Sequence, residues 1–243
     1  MRLFGLIGFP LSHSFSKKFF TEKFEKEGLD DFKYELFPIA SINELVDVLR
    51  KHPELLGLNV TIPYKEQVLS YLHEKDDVVK KIKACNCIVI EDGKLKGYNT
   101  DVIGFERALK EKLGPDHTKA LILGAGGAAK AVEFVLTKLK IPFTYVSRRP
   151  SVNNYSYEQV TPSILVSYPL IVNTTPLGMY PSVNEAPQLP YEALTACHYL
   201  FDLVYNPEKS LFLQKGEQQG ATIKNGYQML VIQAEESWRI WNS

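Results

Sequence analysis

Little about this chain is extreme, and each thing it lacks narrows the field. Charge of one sign is missing: Lys and Arg number 28 and Asp and Glu number 28 in 243 residues. A balanced chain has no electrostatic pull toward nucleic acid or an anionic membrane, so neither is an expected partner. No apolar run approaches the length of a membrane span, and Met1-Arg2-Leu3-Phe4-Gly5 is strand-like rather than the apolar stretch of a secretion signal. Cysteine is scarce: Cys85, Cys87 and Cys197. An odd number without ligand spacing argues against a disulfide framework and a zinc site, so no metal is expected and a reducing cytoplasm fits. Cys85 and Cys87 alternate on a predicted strand, so one of them is expected to be buried and inert. Repeats and low-complexity tracts are absent as well.

What remains is an ordinary globular composition, long enough at 243 residues for one large or two modest domains. Hydrophobic periodicity predicts strands at Leu3–Phe9, Tyr34–Ile39 and Leu56–Ile62, with helices at Phe15–Lys26 and Ile42–Arg50. Helical pieces follow from Tyr64 to about Lys83, and Asn86–Glu91 and Lys94–Tyr98 flank Asp92-Gly93, a strong hairpin signal. Alternation with one hairpin implies a mixed, mainly parallel sheet. A helix over Val102–Leu113 leads into the second half. There Ile164–Asn173 and Tyr199–Val204 read as buried strands, and the polar Ser151–Thr161 is short for a crossover helix. A final helix, about Gly226 to Trp241, carries Tyr227, Leu230, Val231, Ala234, Trp238 and Trp241 on one face and Met229, Ile232, Gln233 and Glu236 on the other. Apolar on two sides, it is expected to lie between layers.

The segment from Lys119 to Pro150 says most about function. A short strand, Ala120–Leu123, runs into Gly124-Ala125-Gly126-Gly127-Ala128-Ala129 at the head of an apolar helix. A second strand, Phe143–Val146, ends in Ser147-Arg148-Arg149. Strand, glycine turn, helix and strand is the order that binds a dinucleotide. The glycines let the backbone approach a pyrophosphate, and the helix start offers N–H groups and partial positive charge. An NAD site would place an acid at the end of the second strand. Two arginines stand there instead, suited to a 2′-phosphate, which favours NADP. Each feature alone has a plainer reading: a turn that only packs closely, and an arginine pair in a solvated loop. Asn173-Thr174-Thr175-Pro176-Leu177-Gly178-Met179 and Val204-Tyr205-Asn206-Pro207 follow later strands, where open α/β sheets bind ligands.

In the first half, Leu58-Asn59-Val60-Thr61-Ile62-Pro63-Tyr64-Lys65 runs off a strand into an expected helix start, with Lys65 in its first turn. The helix dipole disfavours a cation there, a setting that suits acid–base work; the plain alternative is a surface lysine. Asn99, Thr100 and Asp101 precede the connecting helix, and any of them can cap it. Asp101 can equally orient a lysine or a substrate hydroxyl. Ser14 and Ser16, in Leu11-Ser12-His13-Ser14-Phe15-Ser16, either cap the first helix or offer hydroxyls to a carboxylate or polyol. His13 is either a structural neighbour or a base.

Together these segments resemble the shikimate dehydrogenase family, and the match runs over essentially the whole chain. It rests on His13-Ser14-Phe15-Ser16, Asn59–Lys65, Asn86, Asn99-Thr100-Asp101, Gly124–Ala129 and Ser147-Arg148-Arg149. Asn173–Met179, Asp202 with Tyr205-Asn206-Pro207, and Gly226 with Met229-Leu230 and Gln233 extend it. The resemblance implies an α/β fold of two domains across a cleft. Residues 1–100 with 226–243 would form a mixed-sheet substrate domain and 101–225 a Rossmann-type NADP-binding domain, the C-terminal helix packing back on the first. It implies that Ser14 and Ser16 hold the carboxylate of shikimate. Thr61, Lys65, Asn86, Asp101 and Gln233 would hydrogen-bond the ring hydroxyls, with Tyr205 nearby, and Lys65 and Asp101 would be the catalytic pair. The implied NADP contacts are Gly124, Ala125, Gly126, Gly127, Ala128, Ser147, Arg148, Arg149, Thr174, Gly226 and Met229. The implied reaction is reversible hydride transfer from NADPH to 3-dehydroshikimate, giving shikimate, in chorismate and aromatic amino-acid biosynthesis. A cytoplasmic monomer or homodimer would carry it out.

The chain departs from the family in places. The usual Asn-Arg-Thr after the second strand is Ser147-Arg148-Arg149, and Glu208-Lys209-Ser210 follows Pro207 where threonine is common at the last position. Gln228 stands where a small residue is common, and the chain is somewhat short. A quinate/shikimate dehydrogenase using NAD is the first alternative, though such relatives tend to carry an acid where Arg148-Arg149 stand. A non-catalytic shikimate sensor of the same fold is the second. A sensor needs ligand contacts but no proton donor, whereas both Lys65 and Asp101 are present.

Overall fold

A computed structural model describes residues 1–11 and 14–243. The first elements are β1 (Arg2–Gly8), α1 (Phe15–Glu27), β2 (Phe32–Pro38), α2 (Leu45–Lys51) and β3 (Leu55–Val60). Then come β4 (Glu74–Lys75), α3 (Asp77–Ile82), β5 (Cys87–Glu91), β6 (Lys94–Tyr98) and α4 (Asp101–Lys110). The second half holds β7 (Ala120–Leu123), α5 (Gly127–Lys138), β8 (Phe143–Val146), α6 (Pro162–Val166) and β9 (Leu170–Asn173). β10 (Tyr199–Asp202), α7 (Leu211–Gln218), β11 (Thr222–Lys224) and α8 (Tyr227–Trp241) complete the chain. It divides into two compact units, Met1–Ile103 with Leu230–Ser243, and Gly104–Met229. The divisions fall inside α4 and α8, which leaves Asp101 and Gln233 in the first unit and Met229 in the second.

In the first unit a six-stranded mixed sheet has the order β2-β1-β3-β5-β6-β4. β1 pairs in parallel with β2 and β3, and β5 runs antiparallel to β3 and β6. The Asp92-Gly93 turn between β5 and β6 has both residues at positive φ, 49° and 72°, as a two-residue hairpin requires. β1 is buried on both faces. Leu3 and Ile7 join a core with Leu45, Leu58, Val60, Val68 and Ile88, while Phe4 and Leu6 join an aromatic one with Phe20, Phe24 and Tyr34. α8 closes that aromatic face. The rings of Phe4 and Trp241 lie 4.7 Å apart, and the Trp241 Nε1 donates to the Ile88 carbonyl at 2.9 Å. A fully buried ring such as that of Phe4 contributes about 1.5–3 kcal/mol. Tyr227, assigned by periodicity to the buried stripe of α8, is instead 53% exposed.

In the second unit five parallel strands have the order β11-β10-β9-β7-β8. The chain passes from β7 to β8 on one side and then returns to β9 on the other side of β7. That reversal marks where a doubly wound sheet binds ligands, beyond the carboxyl ends of β7 and β9. Both strands are buried throughout, as a parallel sheet covered on both faces demands.

Several local expectations give way. The apolar run Ile164–Asn173 is not one strand: α6 takes its start, capped by Thr161 with Pro162 in the first turn. β4, α7 and β11 carry no distinct signal in the hydrophobic pattern. The helix expected over Ile42–Arg50 opens with a 3₁₀ turn held by a Ser41–Glu44 capping box before α2 begins. Both Cys85 and Cys87 are buried, rather than one of them, and burial pushes both thiols upward, Cys85 to about 12. Among the described residues no helix is long and apolar enough to cross a membrane.

Candidate active site

The first unit gathers its polar side chains where β3 ends and β5 begins. Beyond Val60 the chain turns: the Thr61 N–H donates to the Ile7 carbonyl at 3.0 Å, and the buried Tyr64 hydroxyl donates to the Ile39 carbonyl at 2.6 Å. The Lys65 carbonyl accepts from the Cys85 N–H at 2.7 Å. These bonds pin the backbone around Lys65 in a turn. No α-helix starts there; a single 3₁₀ turn, Gln67–Ser70, follows. The helix dipole therefore has no bearing on Lys65, and its partner singles it out instead. Lys65 Nζ donates to Asp101 Oδ2 at 2.8 Å, with the two side chains 19% and 8% exposed.

At the head of α4 three adjacent polar residues divide three tasks. Asn99 is the cap: its Oδ1 accepts from the Val102 N–H at 3.2 Å, and its Nδ2 donates to the Ala84 carbonyl at 3.0 Å. Thr100 holds Asn86, and the Asp101 carboxylate goes to Lys65. Asn99→Ala should lower stability by about 1–2 kcal/mol through the lost cap, measurable as a lower melting temperature. Asn86 Oδ1 accepts from the Thr100 N–H at 2.7 Å, and its Nδ2 donates to Thr100 Oγ1 at 3.0 Å. With the amide oriented in this way, its second Nδ2 hydrogen is what Asn86 can offer a ligand.

Gln233, on α8, presents the complementary group. Its Oε1 is buried and has no hydrogen-bond partner among the described residues. A buried acceptor in that state is completed by a donor such as a ligand hydroxyl. Ser14 caps α1, its Oγ accepting from the Lys17 N–H at 3.5 Å, which leaves its own O–H to give away. Ser14, not Ser16, is the N-cap, and the Ser16 hydroxyl lies near that of Tyr34. Thr61 is half-buried, its methyl group against Gly8. Ser12 and His13 lie outside the described residues.

Beneath these residues runs a hydrogen-bonded relay that inspection of the sequence missed. The Tyr34 hydroxyl donates to Asn59 Oδ1 at 2.9 Å, and Asn59 Nδ2 donates to Ser237 Oγ at 2.9 Å and to the Asn86 carbonyl at 3.2 Å. Ser237 Oγ in turn lies 3.4 Å from Thr100 Oγ1. Burial raises the Tyr34 pKa well above its usual value, so the phenol stays a neutral donor. The relay ties β2, β3 and α8 to the pair Asn86–Thr100. Its one sequence signal is polar residues at inward-facing positions of β2, β3 and α8.

The second unit assembles the nucleotide motif. Gly124 has φ +96°, and a Cβ on it would meet Thr175 Cγ2 at 2.8 Å and Thr174 Oγ1 at 3.0 Å. The missing side chain lets the end of β7 meet the loop after β9, where Thr174 Oγ1 donates to the Leu123 carbonyl at 2.7 Å. Close packing thus accounts for Gly124, but not for Gly126. Gly126 is the N-cap of α5, no side chain caps the helix, and a Cβ there would meet nothing within 4 Å. That open space and the N–H groups of Gly127 and Ala128, with Ala125 beside them, are what a pyrophosphate requires.

The Gly124 N–H donates to the Val146 carbonyl at 2.8 Å, which sets Ser147 next to this turn. Ser147 N–H donates to the Tyr155 carbonyl at 3.0 Å, and Tyr155 N–H to the Tyr145 carbonyl at 2.9 Å, so the chain doubles back and holds Arg148 and Arg149 in an exposed turn. At the other edge of the motif, Gly226 donates to the Val204 carbonyl at 3.1 Å and lies against the Leu203 carbonyl, with no room for a Cβ. Met229 is buried, and the half-buried Tyr205 has its hydroxyl pKa raised by burial.

The chain is similar to known proteins over nearly its whole length. The model for the shikimate dehydrogenase substrate binding domain matches residues 6–88. Shikimate dehydrogenase (NADP(+)) of Caldicellulosiruptor bescii is 36% identical over 259 residues, an alignment covering 99% of this chain and 89% of the relative. The enzyme of the same name from Methanococcus maripaludis is 36% identical over 256 residues, covering 99% and 91%. Among solved structures, shikimate 5-dehydrogenase from Thermus thermophilus in complex with NADP(H) and shikimate superposes with a TM-score of 0.87 at 30% identity, covering 99% of this chain and 93% of that one. With a mixed-sheet unit, a parallel nucleotide-type unit and full-length relatives at this identity, the chain belongs to the shikimate dehydrogenase family of oxidoreductases.

Proposed function

We propose that the chain catalyses the reversible reduction of 3-dehydroshikimate to shikimate with NADPH, a step of aromatic amino-acid biosynthesis. The observation that carries this reading is the Lys65–Asp101 pair, a lysine held by a single 2.8 Å bond among groups suited to a polyol. As the ketone oxygen gains negative charge, Lys65 Nζ donates a proton to it and stabilises the charge; in the reverse direction it takes the proton back. Asp101 fixes the direction of Nζ through a charge-assisted bond. Ser14 and Ser16 supply hydroxyls for the substrate carboxylate. Thr61, Asn86 and Gln233 bind ring hydroxyls, Asn86 as donor and Gln233 Oε1 as acceptor, with Tyr205 as a further contact.

The residues of the second unit fit NADP. Gly124, Ala125, Gly126, Gly127 and Ala128 would hold the pyrophosphate, Ser147, Arg148 and Arg149 the 2′-phosphate, and Thr174, Gly226 and Met229 the nicotinamide end. When bound, NADPH supplies the hydride. The proposed setting is the cytoplasm, whose reducing conditions suit three free cysteines.

The test is absorbance at the nicotinamide band, with purified protein, shikimate and either NADP⁺ or NAD⁺, repeated with quinate. Rapid reduction of NADP⁺ by shikimate is expected. Comparable turnover with NAD⁺ or quinate would move the chain to the quinate-using branch. Shikimate binding without turnover in any combination would make it a sensor.

A further inference from the structure

Asp202, at the carboxyl end of β10, is fully buried, and no step above uses it. Its carboxylate is filled by donors from three segments. Oδ1 accepts from Asn173 Nδ2 at 2.9 Å and from the Val204 N–H at 3.0 Å, and Oδ2 accepts from the Ser210 hydroxyl. Asn173 carries the connection onward. Its own Oδ1 accepts from the Thr175 N–H at 3.0 Å and Thr175 Oγ1 at 2.7 Å, and Thr175 Oγ1 accepts from the Leu177 N–H at 3.3 Å. On the other side, the Val204 carbonyl accepts from the Gly226 N–H at 3.1 Å. The segments bearing Thr174, Tyr205 and Gly226 therefore branch from one side chain. Burial also pushes the Asp202 carboxyl up to about 6, the three donors opposing it.

We propose that Asp202 is a positioning residue for the nicotinamide end of the cofactor site: its Oδ1 fixes the Asn173 amide and, through it, the Thr174–Leu177 segment in the conformation that receives the cofactor. The role is that of an acceptor, not of a charge, and it rests on the NADP reading above. An asparagine at this position keeps an oxygen toward Asn173 and Val204 and turns its Nδ2 toward Ser210 Oγ, which can accept.

The experiment compares Asp202→Ala, Asp202→Asn, Asn173→Ala and the Asp202→Ala/Asn173→Ala double variant in the full chain. Dissociation constants for NADP⁺ and shikimate, turnover and melting temperature are measured for each. Asp202→Ala should weaken NADP⁺ by about tenfold or more, the scale of a lost bond to a charged acceptor, and leave shikimate affinity unchanged. Asp202→Asn should restore NADP⁺ binding, and the double variant should be no worse than Asp202→Ala alone, because both sever one chain of bonds. Undiminished NADP⁺ affinity in Asp202→Ala, equal weakening of both ligands, or a folded Asp202→Asn as impaired as Asp202→Ala would each overturn the role. Should Asp202→Ala fail to fold, Asn173→Ala decides: selective loss of NADP⁺ supports the role, and unchanged affinity overturns it. Failure of the wild-type chain to bind NADP⁺ would sink the proposed function itself, whereas a normal wild type with an indifferent variant sinks only the positioning role.

Discussion

Replacing Lys65 by alanine should cut turnover by about two to four orders of magnitude, the usual span for a lost general acid or base, with a much smaller loss of shikimate affinity. The asymmetry follows from when the ammonium acts. Against a neutral ring hydroxyl it makes one hydrogen bond; against an oxygen acquiring negative charge it supplies a proton and a full positive charge. Interactions that strengthen only at the transition state appear in kcat, and uniform ones in KM. The structure sharpens the expectation, because Nζ is already held by Asp101 at 2.8 Å and both residues lie in the same unit. Alanine also strands the Asp101 carboxylate, so the melting temperature should be followed to separate lost chemistry from lost folding. Turnover near that of the wild type in a folded Lys65→Ala would remove Lys65 from the mechanism.

The part of this molecule legible from sequence is the part governed by short-range rules. The nucleotide motif falls within a single stretch, β7 to β8, where the order strand, glycines, helix, strand admits few alternatives. The Asp92-Gly93 hairpin is similar: two residues demand positive φ and chemistry allows few to supply it. Reasoning failed where distant parts of the chain decide. The turn at Lys65 exists because Tyr64 reaches the Ile39 carbonyl and Lys65 the Cys85 N–H; nothing between Thr61 and Gln67 betrays it. Ile164–Asn173 reads as one strand because a short apolar run suits a strand or a buried helix equally. Thr161-Pro162, a cap followed by a first-turn proline, was the overlooked signal.

The site shows the same division. The ambiguity among Asn99, Thr100 and Asp101 could not be resolved from their adjacency, since all three residue types can cap a helix. Three contacts resolve it: Asn99 to Val102, Thr100 to Asn86 and Asp101 to Lys65. The Tyr34–Asn59–Ser237 relay spans separations of 25 and 178 residues, far beyond any local pattern. The relay reaches Asn86 through its backbone carbonyl, which accepts from Asn59 Nδ2 at 3.2 Å. Buried polar networks orient their members only when each is satisfied, and every member of this one has a partner. Gln233 Oε1, by contrast, is a buried acceptor without a partner among the described residues, and under the proposed function a substrate hydroxyl would complete it.

Arg148→Ala should raise the dissociation constant for NADPH by about ten- to a hundredfold, the range of one or two lost charge-assisted bonds, and leave that for NADH nearly unchanged. The two cofactors differ only in the 2′-phosphate, so the ratio of the two losses isolates the contact. Geometry supports placing that phosphate here: the Tyr145–Tyr155 and Tyr155–Ser147 backbone bonds fold the chain back and expose both arginines directly after β8. Arg149 sits in the same turn, so a residual NADPH preference should survive in Arg148→Ala and disappear in the double variant. Exposure adds a second signature. Exposed charges are screened by salt, so wild-type affinity for NADPH should weaken as ionic strength rises, and the slope should flatten in each variant. Equal losses for NADPH and NADH in Arg148→Ala would refute the assignment of the 2′-phosphate to this turn.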